Sequence, residues 1–139
     1  MLLISKIKNP LKKINTSNYK TFYIAGNIYN FGFTYEETKN FSKFFFNELK
    51  NKIGINKNIV VPTATLNLTN KKDVVFEKKT KSYIMGIFSE YVRNLSYSVR
   101  SDHPLWSFTG VGKGVGKILN KTSYSAYGKD SVFDKLQNN

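Results

Sequence analysis

The chain has 139 residues, of which 40% are hydrophobic, and its 22 basic and nine acidic side chains give a formal net charge of +13 at pH 7. This length and apolar content predict one folded domain and exclude wholesale disorder. The lack of cysteine excludes disulfides and thiolate metal sites, and a single histidine excludes a multi-histidine metal site, so we expect no bound metal. No apolar run is long enough to span a membrane and no signal-peptide cleavage site is visible, so we expect a soluble, cytoplasmic protein.

The excess of positive charge raises the question of nucleic-acid binding. The lysines, however, are spread along the chain in doublets rather than in long blocks, and only Arg93 and Arg100 are arginines. Arginine is the main reader of bases and phosphates, so its scarcity argues against a nucleic-acid site. We favour a solvated basic surface that helps to bind a polyanionic cofactor.

The N-terminal part of the chain begins with a lysine-rich, weakly patterned segment over residues 1–20. A β-prone run at 21–25 follows and ends at Gly26, where a loop begins. We expect residues 21–139 to form the domain itself.

The clearest helix signal lies just after this loop. Thr34 and Glu37 have the spacing of a capping box, and Gly54 lies where a C-terminal cap belongs. The apolar residues between them recur at three- and four-residue steps, which predicts one buried helix face. That face comprises Phe41, Phe44, Phe45, Leu49 and Ile53.

A second strand is predicted at residues 59–61, with Pro62 ending its ladder. A strand, a helix and a strand within about forty residues form a βαβ-like unit, which predicts a partly parallel sheet. Residues 73–80 are expected to add a short strand or an extended segment.

A second amphipathic helix is predicted over residues 82–95, with Ser82 as its cap and Gly86 inside it as a close-packing position. Its inward residues would be Tyr83, Ile84, Ile87, Phe88, Tyr91 and Leu95. Glu90, on its polar side, is assigned a structural role.

The glycine-rich run that follows Trp106 invites comparison with phosphate-binding loops. The P-loop spacing fails, because a second glycine would have to fall at Val115 or Lys117. The dinucleotide pattern fails at Val115 for the same reason. We therefore predict that a strand beginning near Trp106 turns through these glycines into a short helix over residues 113–120.

Four segments follow one another along the chain: VVPTATLN (60–67), VVFEKKTKSYIMGIFSEYVRNL (74–95), VRSDHPLWSFTGVGK (99–113) and YGKDSVFDKL (127–136). Their order resembles that of motifs in the aminoglycoside 3-N-acetyltransferase family. The most specific string is Arg100-Ser101-x-His103-Pro104-x-x-Ser107-Phe108. The resemblance implies an α/β fold of three α/β/α layers with a mixed, partly parallel sheet.

The resemblance also implies transfer of an acetyl group from acetyl-CoA to an amino group of an aminoglycoside or another amino sugar. Two motifs depart from the family pattern: Gly26-Asn27 replaces a serine pair in the loop associated with the pantetheine arm, and Thr80-Lys81-Ser82 replaces Thr-Pro-Ser. The chain ends at Asn139, about half the family's usual length, and the family's general-base histidine is expected in the missing C-terminal half. An incomplete copy of the fold would expose apolar surface and self-associate.

Transferred onto this sequence, the resemblance assigns the cofactor to Asn27, Thr80, Ser82, Arg100 and Ser107. For Arg100 there are two alternatives: contact with a coenzyme A phosphate, or an ion pair with Asp102 or Glu90. For Thr80 and Ser82 the alternative is simple capping, and for Ser107 it is packing against the second helix. His103 is either a hydrogen-bonded loop anchor or a residue lining the pocket.

Three functional hypotheses follow from the sequence. The first is an acetyl-CoA-dependent N-acetyltransferase, the second is a non-catalytic fragment kept as a binding module, and the third, least favoured, is a basic RNA-binding domain.

Overall fold

The computed structural model describes residues 2–138, without the side chains at positions 2, 3, 29 and 30. The helices are α1 (Leu2–Lys13), α2 (Tyr35–Ile53), α3 (Ile87–Arg93), α4 (Val115–Leu119) and α5 (Val132–Gln137). The strands are β1 (Thr21–Tyr23), β2 (Asn58–Pro62), β3 (Val99–Arg100) and β4 (Phe108–Val111), and two 3-10 segments occupy Ile28–Phe31 and Leu66–Leu68. None of the helices in this part of the chain is long and apolar enough to cross a membrane.

The four strands form one mixed sheet in the order β1-β2-β4-β3. Strands β1 and β2 are parallel and are connected through α2, whereas β4 runs antiparallel to both β2 and β3. The partly parallel sheet that the βαβ pattern predicts is therefore confirmed.

Helices cover both faces of this sheet. Along β2, Ile59 and Val61 face a core shared with α1, α2 and α3, whereas Val60 faces a second core with α4 and α5. This alternation follows from the two-residue period of a strand and gives the three α/β/α layers. Helix α1, from the lysine-rich segment, contributes Ile7 and Leu11 to the first core.

Helix α2 begins and ends as predicted. The Thr34 amide donates to Glu37 Oε2 at 2.8 Å, and the Glu37 amide donates to Thr34 Oγ1 at 3.3 Å, which completes the capping box. Gly54 has a φ of +94° and donates its amide to the Lys50 carbonyl at 2.9 Å. The buried face also includes Phe46, which the periodicity did not single out.

The prediction of a helix over residues 82–95 is wrong, because α3 begins only at Ile87. Ile84 and Gly86 have φ values of +57° and +87°, which no right-handed helix contains. Ser82 is therefore not the cap, and Gly86 lies at the N-terminal boundary rather than inside the helix. Tyr83, Ile84 and Ile87 are exposed, contrary to their predicted inward positions.

Residues 73–80 form no strand, and the chain turns there instead. The Thr80 amide donates to the Glu77 carbonyl and the Glu77 amide donates to Thr80 Oγ1, both at 2.9 Å. This turn brings the chain back toward β3.

The glycine-rich run does connect β4 to the short helix α4, as predicted. A Cβ added at Gly110 would lie 2.5 Å from Val115 Cγ2 and 2.7 Å from the Ile59 carbonyl oxygen, so the glycine lets α4 pack against the sheet. Gly112 has a φ of +135°, and the Gly114 amide donates to the buried Asn58 Oδ1 at 3.0 Å. These glycines thus serve close packing and a tight turn.

We expect Gly110→Ala to lower the free energy of unfolding by about 1–3 kcal/mol, because its methyl group would overpack a backbone carbonyl and a core valine. Urea denaturation at neutral pH measures the change. Gly26→Ala is the matched control, since a Cβ there meets nothing within 4 Å. Equal stability of the two variants would contradict this packing role.

Candidate functional site

An apolar cavity of about 280 Å³ opens where the chain leaves β1. Residues 24–28 line one side of it, and α1, α2 and the start of α3 supply the other walls. Ligands of open α/β folds bind beyond the carboxyl ends of the strands, which is where this cavity lies relative to β1. Asn27, assigned to the cofactor from sequence, is exposed at this cavity.

Arg100 lies inside the molecule, with 4% of its surface exposed. Its Nε donates to Ser107 Oγ at 3.1 Å, Nη2 to the Thr63 carbonyl at 2.6 Å, and Nη1 to the carbonyls of Lys78, at 3.0 Å, and Thr80. Its guanidinium also lies 5.0 Å from the ring centroid of Phe76. Burial lowers the pKa of Arg100 to about 10, and the positive charge of Arg93 lowers it too, while Glu90 opposes the shift.

The predicted pairing of Arg100 with Asp102 or Glu90 is not found among the ion pairs of residues 2–138. Asp102 pairs with Lys78 at 2.6 Å, and Glu90 pairs with Arg93 at 2.8 Å. Arg100 instead uses neutral acceptors from three separate segments of the chain.

Ser107 and Thr80 belong to the same network as Arg100. Ser107 is 1% exposed and donates its hydroxyl to the Thr63 carbonyl at 2.8 Å while accepting from Arg100. Thr63 Oγ1 in turn lies 2.9 Å from Thr109 Oγ1. The network therefore joins the end of β2 to the start of β4 through buried hydroxyls and carbonyls.

A second network surrounds Glu90. Arg93 donates to both carboxylate oxygens, from Nε at 2.9 Å and from Nη2 at 2.8 Å, and Ser82 donates its amide and its hydroxyl to Oε1. Burial raises the pKa of Glu90, but the hydrogen bonds from Arg93 and Ser82 and the charge of Arg93 outweigh it, so the pKa is lowered overall. Arg93 Nη1 also donates to the Lys79 carbonyl at 2.8 Å.

The two arginines together hold one stretch of backbone, which we call the arginine-held segment (residues 78–80). Arg100 bonds the carbonyls of Lys78 and Thr80, and Arg93 bonds the carbonyl between them. A guanidinium has five N–H donors in a fixed fork, whereas an ammonium is a compact point charge, so this task suits arginine and not lysine.

His103 is a hydrogen-bonded loop anchor. Its Nδ1 accepts from the amides of Leu105, at 3.2 Å, and Trp106, at 2.9 Å. Both hydrogen bonds are made within the same loop, so they fix the orientation of the ring. The anchor interpretation is the one that this geometry supports.

The structure thus brings Thr80, Arg100 and Ser107 together, with Ser82 in the adjoining Glu90 network, and leaves Asn27 at the apolar cavity. The assignment of these five residues to the cofactor stays a prediction. Sequence reasoning did not single out Asn58 or Thr63, whose roles depend on partners more than thirty residues away.

We expect Arg100→Lys to lower the free energy of unfolding by about 3 kcal/mol, because a single ammonium leaves buried carbonyls unpaired. Arg93→Lys is the comparison, and it should lose less because lysine can still pair with the half-buried Glu90. Urea denaturation of both variants measures the difference. If the Arg100→Lys variant were as stable as the wild type, the forked donor geometry of the guanidinium would not be needed for stability.

The lowered pKa of Glu90 predicts a dependence of stability on pH. A depressed carboxylate pKa stabilises the folded state above the unfolded value of about 4.3, and this stabilisation is lost as the pH falls through the folded pKa. The stability difference between wild type and Glu90→Gln should therefore be constant from pH 7 to about 5 and shrink below about 4. Denaturation curves across this range test it, and a difference independent of pH would rule out the ionised pair.

The sequence and the fold were compared with known proteins. The model of the family described as aminoglycoside 3-N-acetyltransferase matches residues 36–139. No curated protein sequence matches the chain.

Solved structures share the fold at low sequence identity. The YokD protein from Bacillus subtilis superposes with a TM-score of 0.80 at 19% identity, covering 97% of this chain and 60% of its own. Aminoglycoside acetyltransferase AAC(3)-Xa gives 0.78 at 15% identity, with 95% and 51% covered. AAC-IIIb in a binary complex with CoASH gives 0.75 at 14% identity, with 94% and 53% covered.

The chain therefore spans only about half to three fifths of the length of these structures. The superpositions establish a common fold, and the family match extends over most of the sequence. The chain belongs to the aminoglycoside 3-N-acetyltransferase family.

Proposed function

We propose that the chain binds acetyl-CoA and serves the transfer of its acetyl group to an amino group of an aminoglycoside or another amino sugar. The observation that carries this proposal is the family match together with a cavity at the carboxyl end of β1. A similar structure holding CoASH supports the cofactor, and one holding sisomicin supports an amino-sugar acceptor.

The reaction sets two requirements for the site. The amine nitrogen attacks the thioester carbonyl carbon, the new C–N bond forms and the C–S bond breaks, so that the amine proton ends on the departing CoA sulfur. A base must take this proton, and hydrogen-bond donors must stabilise the oxyanion that develops. His103 is not this base, because its Nδ1 already accepts two amide hydrogens.

The five predicted cofactor residues take different parts in this proposal. Asn27 contacts the cofactor directly, because it is exposed at the cavity. The other four act as positioning residues, since their hydrogen bonds hold the chain before α3 in place; they are Thr80, Ser82, Arg100 and Ser107.

The alternative function is a binding module without catalysis. It is favoured by the structural engagement of the chain's only histidine. A turnover assay with acetyl-CoA and an amino sugar separates the two, because a module would bind the cofactor and release no free CoA.

Titration of the purified chain with coenzyme A by calorimetry tests the proposal. Wild type should bind, and Asn27→Asp should weaken binding by about tenfold or more, since a carboxylate repels the polyanionic ligand and lacks the amide donor. Asn47→Asp, at an exposed position of α2, is the control for the added charge and should bind as wild type does. Absence of wild-type binding at millimolar coenzyme A would refute the proposal.

A further inference from the structure

We propose that the cavity between α1, α2 and α3 holds the acyl chain of the donor, so that the chain accepts acyl-CoA thioesters longer than acetyl-CoA. This inference rests on the proposed function and names the class of its donor. It depends on the position, the size, the lining and the charge of the cavity.

The position of the cavity connects it to the proposed cofactor contact. Asn27 and Ile28 line it from the loop that follows β1, and Met85 and Phe88 line it from the two sides of the α3 N-terminus. A Cβ added at Gly86 would lie 3.7 Å from the Gly26 carbonyl oxygen, so the two loops that border the cavity lie against each other. A thioester held at this loop would have its acyl group next to the opening.

The size and lining of the cavity exceed what an acetyl group requires. Its volume is about 280 Å³, whereas a cavity of roughly 10–15 Å³ by the corresponding measure already holds one water molecule. Most of its walls are hydrophobic side chains, including Ile7, Leu11, Ile24, Phe45 and Phe88. Burial of methylene groups against such walls is energetically favourable, whereas a polar ligand would find few hydrogen-bond partners there.

The charge at the cavity favours a thioester over a free fatty acid. Among the described residues that line it, Lys6 is the one with a charged side chain. Its Nζ already donates to the Gly32 carbonyl at 3.1 Å and lies 3.6 Å from Glu37 Oε2. A free carboxylate would have to compete with Glu37 for this ammonium, whereas an uncharged thioester needs no counterion.

A longer chain leaves the chemical step unchanged. The same C–N bond forms and the same C–S bond breaks, and the methylene groups lie away from the reacting carbonyl. The cavity would therefore select the donor through binding.

Calorimetric titration with coenzyme A, acetyl-CoA, butanoyl-CoA, octanoyl-CoA and octanoate tests the inference. The dissociation constant should fall along the thioester series, by up to about fourfold for each fully buried methylene group. Octanoyl-CoA should bind at least about tenfold more tightly than acetyl-CoA, and octanoate alone should bind far more weakly.

Ile14→Trp provides an independent test in the same assay. Ile14 lines the cavity and is 47% exposed, so the larger ring can fill the opening without entering a packed core. The ratio of the acetyl-CoA to octanoyl-CoA dissociation constants should fall toward one. Ile55→Trp, at an isoleucine that is 79% exposed and does not line this cavity, should keep the wild-type ratio.

The outcomes distinguish failure of the acyl-chain inference from failure of the proposed function. Binding of coenzyme A with no effect of acyl length would overturn the inference and leave the proposed function standing. Failure of every CoA form to bind would refute the proposed function itself. Octanoate binding as tightly as octanoyl-CoA would identify a fatty-acid site and overturn the donor assignment.

Discussion

The buried guanidinium of Arg100 constrains the middle of this fold. A charge taken out of water is costly unless hydrogen bonds replace its hydration, and Arg100 obtains them from the end of β2, from the arginine-held segment and from the residue before β4. None of the acceptors is a carboxylate, so orientation of carbonyl dipoles and the Phe76 ring stabilise the charge. These three segments must therefore meet at one point.

The contacts of Arg100 and Arg93 also influence the position of α3, which lines the apolar cavity. Once Arg93 and Arg100 hold residues 78–80, the next residues return to the sheet, where the Tyr83 amide donates to the Ala64 carbonyl at 2.8 Å. Positive φ at Ile84 is unfavourable for a β-branched residue, and it persists because the chain is held on both sides. Because of the turn at Ile84 and Gly86, α3 begins only at Ile87, and its N-terminus lies against the loop of Gly26.

Local signals explain which parts of the fold were predictable. The α2 capping box involves residues three apart, and the apolar run Ile59–Val61 lies within one strand, so both could be predicted from sequence. The division of that run between two cores required the structure. The start of α3 was predicted wrongly because the helical apolar period continues through residues 83–86, where the φ of Ile84 and of Gly86 is positive. These residues follow the arginine-held segment, whose hydrogen bonds to Arg93 and Arg100 are distant in sequence. The partners of Arg100 were not predicted, because every residue has a main-chain carbonyl and the sequence does not show which of them accept from Arg100. At the cavity, the motif order pointed to Asn27, whereas the walls from α1 and α3 required the tertiary structure.

Most carboxylates of the chain already have a basic partner. Among the described residues, six of the nine acidic side chains lie 3.6 Å or less from a lysine or arginine. Glu90, which lines a cavity beside α3, is already hydrogen-bonded by Arg93 and Ser82. An acceptor with several ammonium groups needs available carboxylates, whereas a CoA thioester needs positive charge and an apolar recess. The cavity between α1, α2 and α3, in a chain of charge +13, offers such an apolar recess, which supports the donor proposed above.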